Sequence, residues 1–190
     1  MRWLLSLTLL VAGASTAGAQ EILPAYLGFS FGAIDYEELD PSTGLVLSDA
    51  GGTYRLIGGY RFNENFAFEA AWGETSGIKE TFDVPALSST SFTIDAAYDV
   101  VTVRTLGMLP LEKMSLLGGI GFYNSERKLS ADFDGLDQFV DTERADSGAT
   151  FVGGVQVDLK SVTIRGEIEW FDADRDVEAT DITFSVLFRL

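Results

Sequence analysis

The residues whose spacing first suggests chemistry are acids. Asp172-Ala173-Asp174-Arg175-Asp176-Val177-Glu178 sets carboxylates at alternate positions, as the opening of a calcium loop does. An EF-hand then requires glycine at its sixth position and a bidentate glutamate at its twelfth. Val177 and Thr183 stand there instead. Asp132-Phe133-Asp134-Gly135-Leu136-Asp137 fits as loosely. Both runs read as solvated acidic loops. No metal site is expected, and Asp172, Asp174 and Asp176 are only weak candidates for sharing a divalent cation with anionic lipid.

Other chemistries fall to composition. The chain has no His and no Cys, which removes Ser-His-Asp and Cys-His catalysis, thiolate redox sites and thiolate or HExxH zinc sites. No catalytic residue and no cofactor is expected. The Gly-Gly pairs beginning at Gly58, Gly118 and Gly153 are not phosphate loops, because no helix follows them. Mid-strand glycine more simply relieves crowding. With 13 Lys+Arg against 29 Asp+Glu the net charge is −16, and nucleic acid is excluded as a partner. The same chain is 46% hydrophobic and 12% aromatic, too apolar for acidic disorder.

One charged set remains: Arg55, Arg61, Glu69, Arg104, Asp158, Arg165, Glu167, Glu169 and Arg189, scattered through apolar segments. The elements that hold them decide what they do. Met1-Arg2, the apolar stretch 3–13 and Ala17-Gly18-Ala19 read as a cleaved signal peptide over residues 1–19, with one barrel domain over 20–190. Beyond it the pattern alternates with period two, the signature of strands. Tyr54, Leu56, Gly58, Tyr60 and Phe62 oppose Arg55, Ile57, Gly59 and Arg61. Ile182, Phe184, Val186, Phe188 and Leu190 oppose Asp181, Thr183, Ser185, Leu187 and Arg189. Eight such segments are read, weaker ones at about 25–36, 98–110, 114–125 and 147–159.

Their connections alternate too. Short ones fall at 63–65, 111–113 and 160–161; long ones fall at about 37–52, 76–97, 126–146 and 173–179. An even strand count with short turns at one end and long loops at the other predicts an all-β, eight-stranded, antiparallel up-and-down transmembrane barrel.

Charges facing water would make a secreted soluble barrel that binds a ligand inside. Charges facing inward would fill the narrow lumen of eight strands and leave the apolar face to lipid. Two groups of aromatics favour the second arrangement. Tyr60, Phe62, Phe66 and Phe68 gather near one set of strand ends, and Trp72, Tyr98, Phe122, Tyr123 and Trp170 near the other. Such belts mark the two membrane interfaces. Acids in or beside the long loops number 22 against 5 bases, so the acidity belongs to one end of the molecule.

The chain resembles the OmpA-like family of eight-stranded outer-membrane β-barrels. Gly58-Gly59-Tyr60-Arg61-Phe62-Asn63-Glu64-Asn65-Phe66-Ala67-Phe68-Glu69, Leu109-Pro110-Leu111-Glu112-Lys113-Met114-Ser115-Leu116 and Phe151-Val152-Gly153-Gly154-Val155 carry the resemblance. It implies an integral outer-membrane protein with extracellular long loops and periplasmic termini. The implied partners are outer-membrane lipid, lipopolysaccharide and the barrel-assembly machinery, read through an assembly signal at Phe184, Val186, Phe188 and Leu190. The terminus departs from the family, with Leu190 last where an aromatic is usual and Ser185 where glycine is common. Enzymes among such barrels use a His, so the expectation is a non-enzymatic structural or surface-interaction protein with an ion-paired lumen. A narrow porin-like channel for small or hydrophobic solutes is the alternative. Oligomeric state is not legible.

Overall fold

The computed structural model describes residues 24–39, 46–84, 90–133, 136–172 and 177–190, so residues 1–23, with the expected signal peptide, lie outside it. Eight strands follow in chain order: β1 (Ala25–Leu39), β2 (Val46–Arg61), β3 (Phe66–Val84), β4 (Thr90–Pro110), β5 (Ser115–Phe133), β6 (Leu136–Leu159), β7 (Val162–Asp172) and β8 (Val177–Arg189). Each pairs antiparallel with the next, and β8 returns to β1 to close a barrel. Closure gives every backbone group of the body a partner, which hydrocarbon demands.

Burial is inverted relative to a soluble domain. Glu69, Glu169, Arg165 and Asp181 are less than 2% exposed, while Ile120 and Phe122 are 65% and 74% exposed. Side chains alternate across each strand, as the run Arg165, Glu167, Glu169, Phe171 buried and Ile168, Trp170, Asp172 exposed illustrates in β7. One face of every strand therefore lines the lumen, and the other is an apolar band. In water that band would be an aggregation surface; facing lipid, it is what a membrane barrel requires.

The closing seam is marked by aromatics. Phe31 lies directly opposite Phe184 with ring centroids 5.5 Å apart. Phe29 meets Phe188 at 6.4 Å. At the short-turn end the 62–65 turn is held by Asn63, whose Oδ1 accepts the backbone N–H of Asn65 and of Phe66 at 2.8 and 2.9 Å, an Asx-type turn. The two-residue turn at 160–161 puts Lys160 at φ 47°, a left-handed conformation that costs a side-chain-bearing residue about 1–2 kcal/mol.

Three predicted loops turn out to be largely strand. The stretch 37–52 continues β1–β2, paired as far as Leu39↔Val46, and 76–97 and 126–146 are hairpin continuations of β3–β4 and β5–β6, paired as far as Val84↔Thr90 and Phe133↔Leu136. A bilayer is crossed by about 9–11 residues, which β7 and β8 match at 11 and 13, whereas β4 and β6 run to 21 and 24. Once past the hydrocarbon, a strand has no reason to alternate apolar and polar residues, so the periodicity that revealed the body fades in its extension. The result is a four-stranded arm. Among the described residues, β3 beyond Ser76 has no partner in β2, and β6 before Ala149 has none in β7.

Candidate functional site: the charged lumen

All nine charged residues read from the sequence point into the lumen, and the strands gather them into two groups. The larger lies near mid-barrel. Glu69 on β3 faces Arg104 on β4 in register and accepts from its Nε and Nη2 at 2.9 and 2.8 Å. It also accepts from Arg165 Nη1 at 2.6 Å and from the Tyr26 hydroxyl at 2.5 Å. Both oxygens of Glu167 accept from Arg104 Nη2 at 3.0 Å. Glu169 accepts from Arg55 and, at 2.7 Å, from the Thr150 hydroxyl. Arg104 Nη1 lies a further 3.6 Å from it.

Room for these long side chains comes from glycine. Across the ladder Arg55 faces Gly73, Glu69 faces Gly59, Arg104 faces Gly121 and Glu167 faces Gly154. A Cβ on Gly59 would enter the Tyr26 ring, and one on Gly154 would meet Glu167 Cγ at 3.2 Å. The glycine pairs thus split by face: Gly59, Gly119 and Gly154 point inward, while Gly58, Gly118 and Gly153 point outward, where a Cβ would meet nothing closer than 3.4 Å.

The smaller group sits at the short-turn end. Asp158 accepts from Arg189 Nη2 at 2.7 Å, from Arg61 Nη1 at 3.4 Å and from the Thr163 hydroxyl at 2.5 Å. Apolar residues separate the groups, among them Ile57, Ala67, Leu106, Met108 and Leu187. An aromatic cap of Tyr36, Tyr98, Tyr123 and Phe171 closes the long-loop side, with Tyr36–Tyr98 and Tyr123–Phe171 centroids 5.0 and 5.3 Å apart. Arg55 stacks on Phe171 at 5.5 Å.

Sequence reasoning missed Asp181. It was counted with the acidic loop beside it, yet it is wholly buried and paired with Arg55. Its parity with Thr183, Ser185 and Arg189 was the available signal. With it the two lumen groups, among the described residues, comprise five arginines and five carboxylates. Tyr26 and Gln156, which accepts from Arg165 Nε at 3.3 Å, were missed as well.

The girdle requires a correction. Tyr60, Phe62, Phe66, Phe68, Trp72, Phe122 and Trp170 are exposed on the outer face, but Tyr98 and Tyr123 are only 9% and 6% exposed and point inward. Tyr98 shares the parity of Arg104, and Tyr123 follows the outward Phe122, so neither can face lipid. Phe184, Phe188 and Leu190 are exposed on the outer face of β8, with Val186 between them partly covered. Asp174 and Asp176 lie outside the described residues, and Asp172 is exposed at the end of β7. Among the described residues no acids cluster as a metal site would need.

Every mid-barrel carboxylate accepts from at least one guanidinium. On the long-loop side, the Asp99 carboxylate accepts from Lys128 Nζ at 2.6 Å and raises the Lys128 ammonium above the ordinary lysine range.

The family model described as outer membrane protein beta-barrel domain matches residues 4–189. Among solved structures, the attachment invasion locus protein Ail of Yersinia pestis, in complex with the heparin analogue sucrose octasulfate, is 18% identical, with a TM-score of 0.56 over 88% of this chain and 99% of that one. Neisserial surface protein A is 16% identical, with a TM-score of 0.55 over 87% of this chain and 97% of its own. These likenesses concern the fold. A search of curated proteins finds no match.

Proposed function

The chain belongs to the outer membrane protein beta-barrel domain family, and we propose that within it this integral barrel is a non-enzymatic surface-interaction component whose arm captures a cationic, extended segment of another macromolecule. The long-loop end faces outward, the short turns and both termini lie in the periplasm, and residues 1–19 are a signal peptide removed on export. The aromatic belts sit in lipid, with lipopolysaccharide around the outer one. The outer face of β8, at Phe184, Val186, Phe188 and Leu190, is what the assembly machinery engages. The mid-barrel ion pairs act as a plug, which favours this reading over a channel.

One observation carries the proposal: the arm formed by β3–β6 leaves two strand edges unpaired among the described residues. An unpaired edge binds an extended peptide by strand addition, with main-chain hydrogen bonds for affinity and side chains for selectivity. The β6 edge, 136–148, carries Asp137, Asp141, Glu143 and Asp146 against Arg144 alone. That charge selects a basic segment. It also repels a polysulfate, so the ligand held by the Yersinia protein is not carried over.

The test uses the full barrel in nanodiscs against fluorescent extended peptides of alternating Lys-Val and Glu-Val. Salt-sensitive binding of the lysine peptide is expected, weakened at least tenfold by the double variant Asp141→Lys, Glu143→Lys. Equal binding of both peptides, or no effect of the double variant, rejects the proposal.

A further inference from the structure

The mid-barrel cluster does not balance. Arg55, Arg104 and Arg165 oppose Glu69, Glu167, Glu169 and Asp181, all of them buried. Three positive charges therefore meet four carboxylates. The compensating surplus, Arg61 and Arg189 against Asp158, lies at the short-turn end beyond the apolar residues around Ile57, Leu106 and Leu187.

The partners identify which carboxylate is left short. Glu69 is met by two arginines and a tyrosine hydroxyl, Glu167 by Arg104 on both oxygens, and Glu169 by Arg55 on one oxygen and Thr150 on the other. Asp181 receives Arg55 on Oδ2 and has the buried Thr53 hydroxyl of β2 beside it; its Oδ1 has no hydrogen-bond partner although the residue is 0% exposed. Among the described residues its surroundings offer no second cation. On β7 it lies in register with Glu169, on β1 with Ile34, and the aromatic cap with Tyr36 lies above. From β2 comes Arg55, from β6 Thr150, and from β4 Arg104, which reaches Glu169 rather than Asp181. The inward residues below it on β8 are Thr183 and Ser185, both uncharged. Asp181 and Glu169 thus divide one guanidinium between them.

We propose that Asp181 Oδ1 is a proton-binding site, and that the lumen cluster takes up one proton from solvent there to become neutral. The O–H bond forms on Oδ1, and Oδ2 continues to accept from Arg55. Two carboxylates sharing a single site in a low-dielectric interior do not both ionise. Glu169, with both oxygens engaged, keeps its charge. The plug accordingly exists in two charge states that differ at one residue, and raising the pH converts the neutral state into one with an uncompensated buried charge.

The experiment is infrared difference spectroscopy on the full barrel in nanodiscs, with 13C-labelled aspartate. One protonated aspartate carboxyl band is expected at mildly acidic pH, lost in Asp181→Asn. It should also be lost in Glu169→Gln, where three carboxylates already balance three arginines. Absence of the band in the unsubstituted protein, or its persistence in Asp181→Asn, overturns the proposal. If Asp181→Asn does not fold, the unsubstituted protein and Glu169→Gln still decide. Replacing sodium by a bulky organic cation should leave the unfolding midpoint unmoved. A sodium-dependent shift that disappears in Glu169→Gln would mean that a metal cation fills the deficit, and would sink the proton site.

Discussion

Mid-barrel and short-turn end hold the same kind of ion pair under opposite circumstances. Arg104 meets Glu69 at 2.8 Å and Arg189 meets Asp158 at 2.7 Å, so distance does not separate them. Exposure does: 3% and 0% for the first pair, 28% and 34% for the second. Water screens and replaces the rim partners, whereas nothing replaces the central ones. A contact length read alone would therefore rank these interactions wrongly.

The sharpest way to break that contrast is Glu69→Ala. It leaves Arg104 with Glu167 and Arg165 with Gln156, each without the carboxylate both share, and the loss of a buried partner costs about 3–5 kcal/mol. The urea midpoint of the barrel refolded in detergent should fall accordingly; a loss under about 1 kcal/mol would place the centre with the rim. Next comes Gly59→Ala, whose new methyl group meets the Tyr26 ring and displaces its hydroxyl from Glu69. Overpacking of this sort costs about 1–3 kcal/mol. Gly118→Ala is the control, since the nearest atom to its Cβ, Val152 O, is 3.8 Å away; its midpoint should stay put.

A smaller effect is expected at the rim. Asp158→Ala should cost no more than about 1 kcal/mol, the range of partly exposed pairs. Calorimetry of that variant beside Glu69→Ala tests the ranking directly. Least of all is Lys128→Ala, on the long-loop side. Because Asp99 raises Lys128, the contribution of that pair is fully present below the ordinary lysine range and is lost as pH rises through the raised value. The difference in melting temperature between unsubstituted protein and variant should be constant around neutrality, vanish in strong alkali and shrink with salt. A difference that grows with alkalinity would contradict the sign.

How far the molecule was legible before its structure follows the same physical division. Within the hydrocarbon, lipid enforces alternation, so the strands around Arg55, Glu69 and Arg165 and the short turns at 63–65 and 160–161 could be read directly. Outside it nothing enforces alternation, and the paired extensions of β3–β6 looked like loops. At the border, neighbours mislead. Asp181 follows a run of acids and was taken for one of them, and Tyr98 was grouped with nearby aromatics against its own parity. Counting by twos from Arg104 and Arg189 would have placed both. The unpartnered Oδ1 of Asp181, by contrast, arises from side-chain positions that no spacing rule supplies.

The seam between β1 and β8 has a consequence for how the protein comes to exist. Tyr26 pairs with Arg189 and Phe31 with Phe184, so the contacts that finish the barrel join the two most distant parts of the described chain. Contacts of such separation are slow to form. Until β8 has been made, the other seven strands are an open sheet whose outer strands offer unpaired backbone to any neighbour. Only the pairing of β8 with β1 covers both of those edges at once.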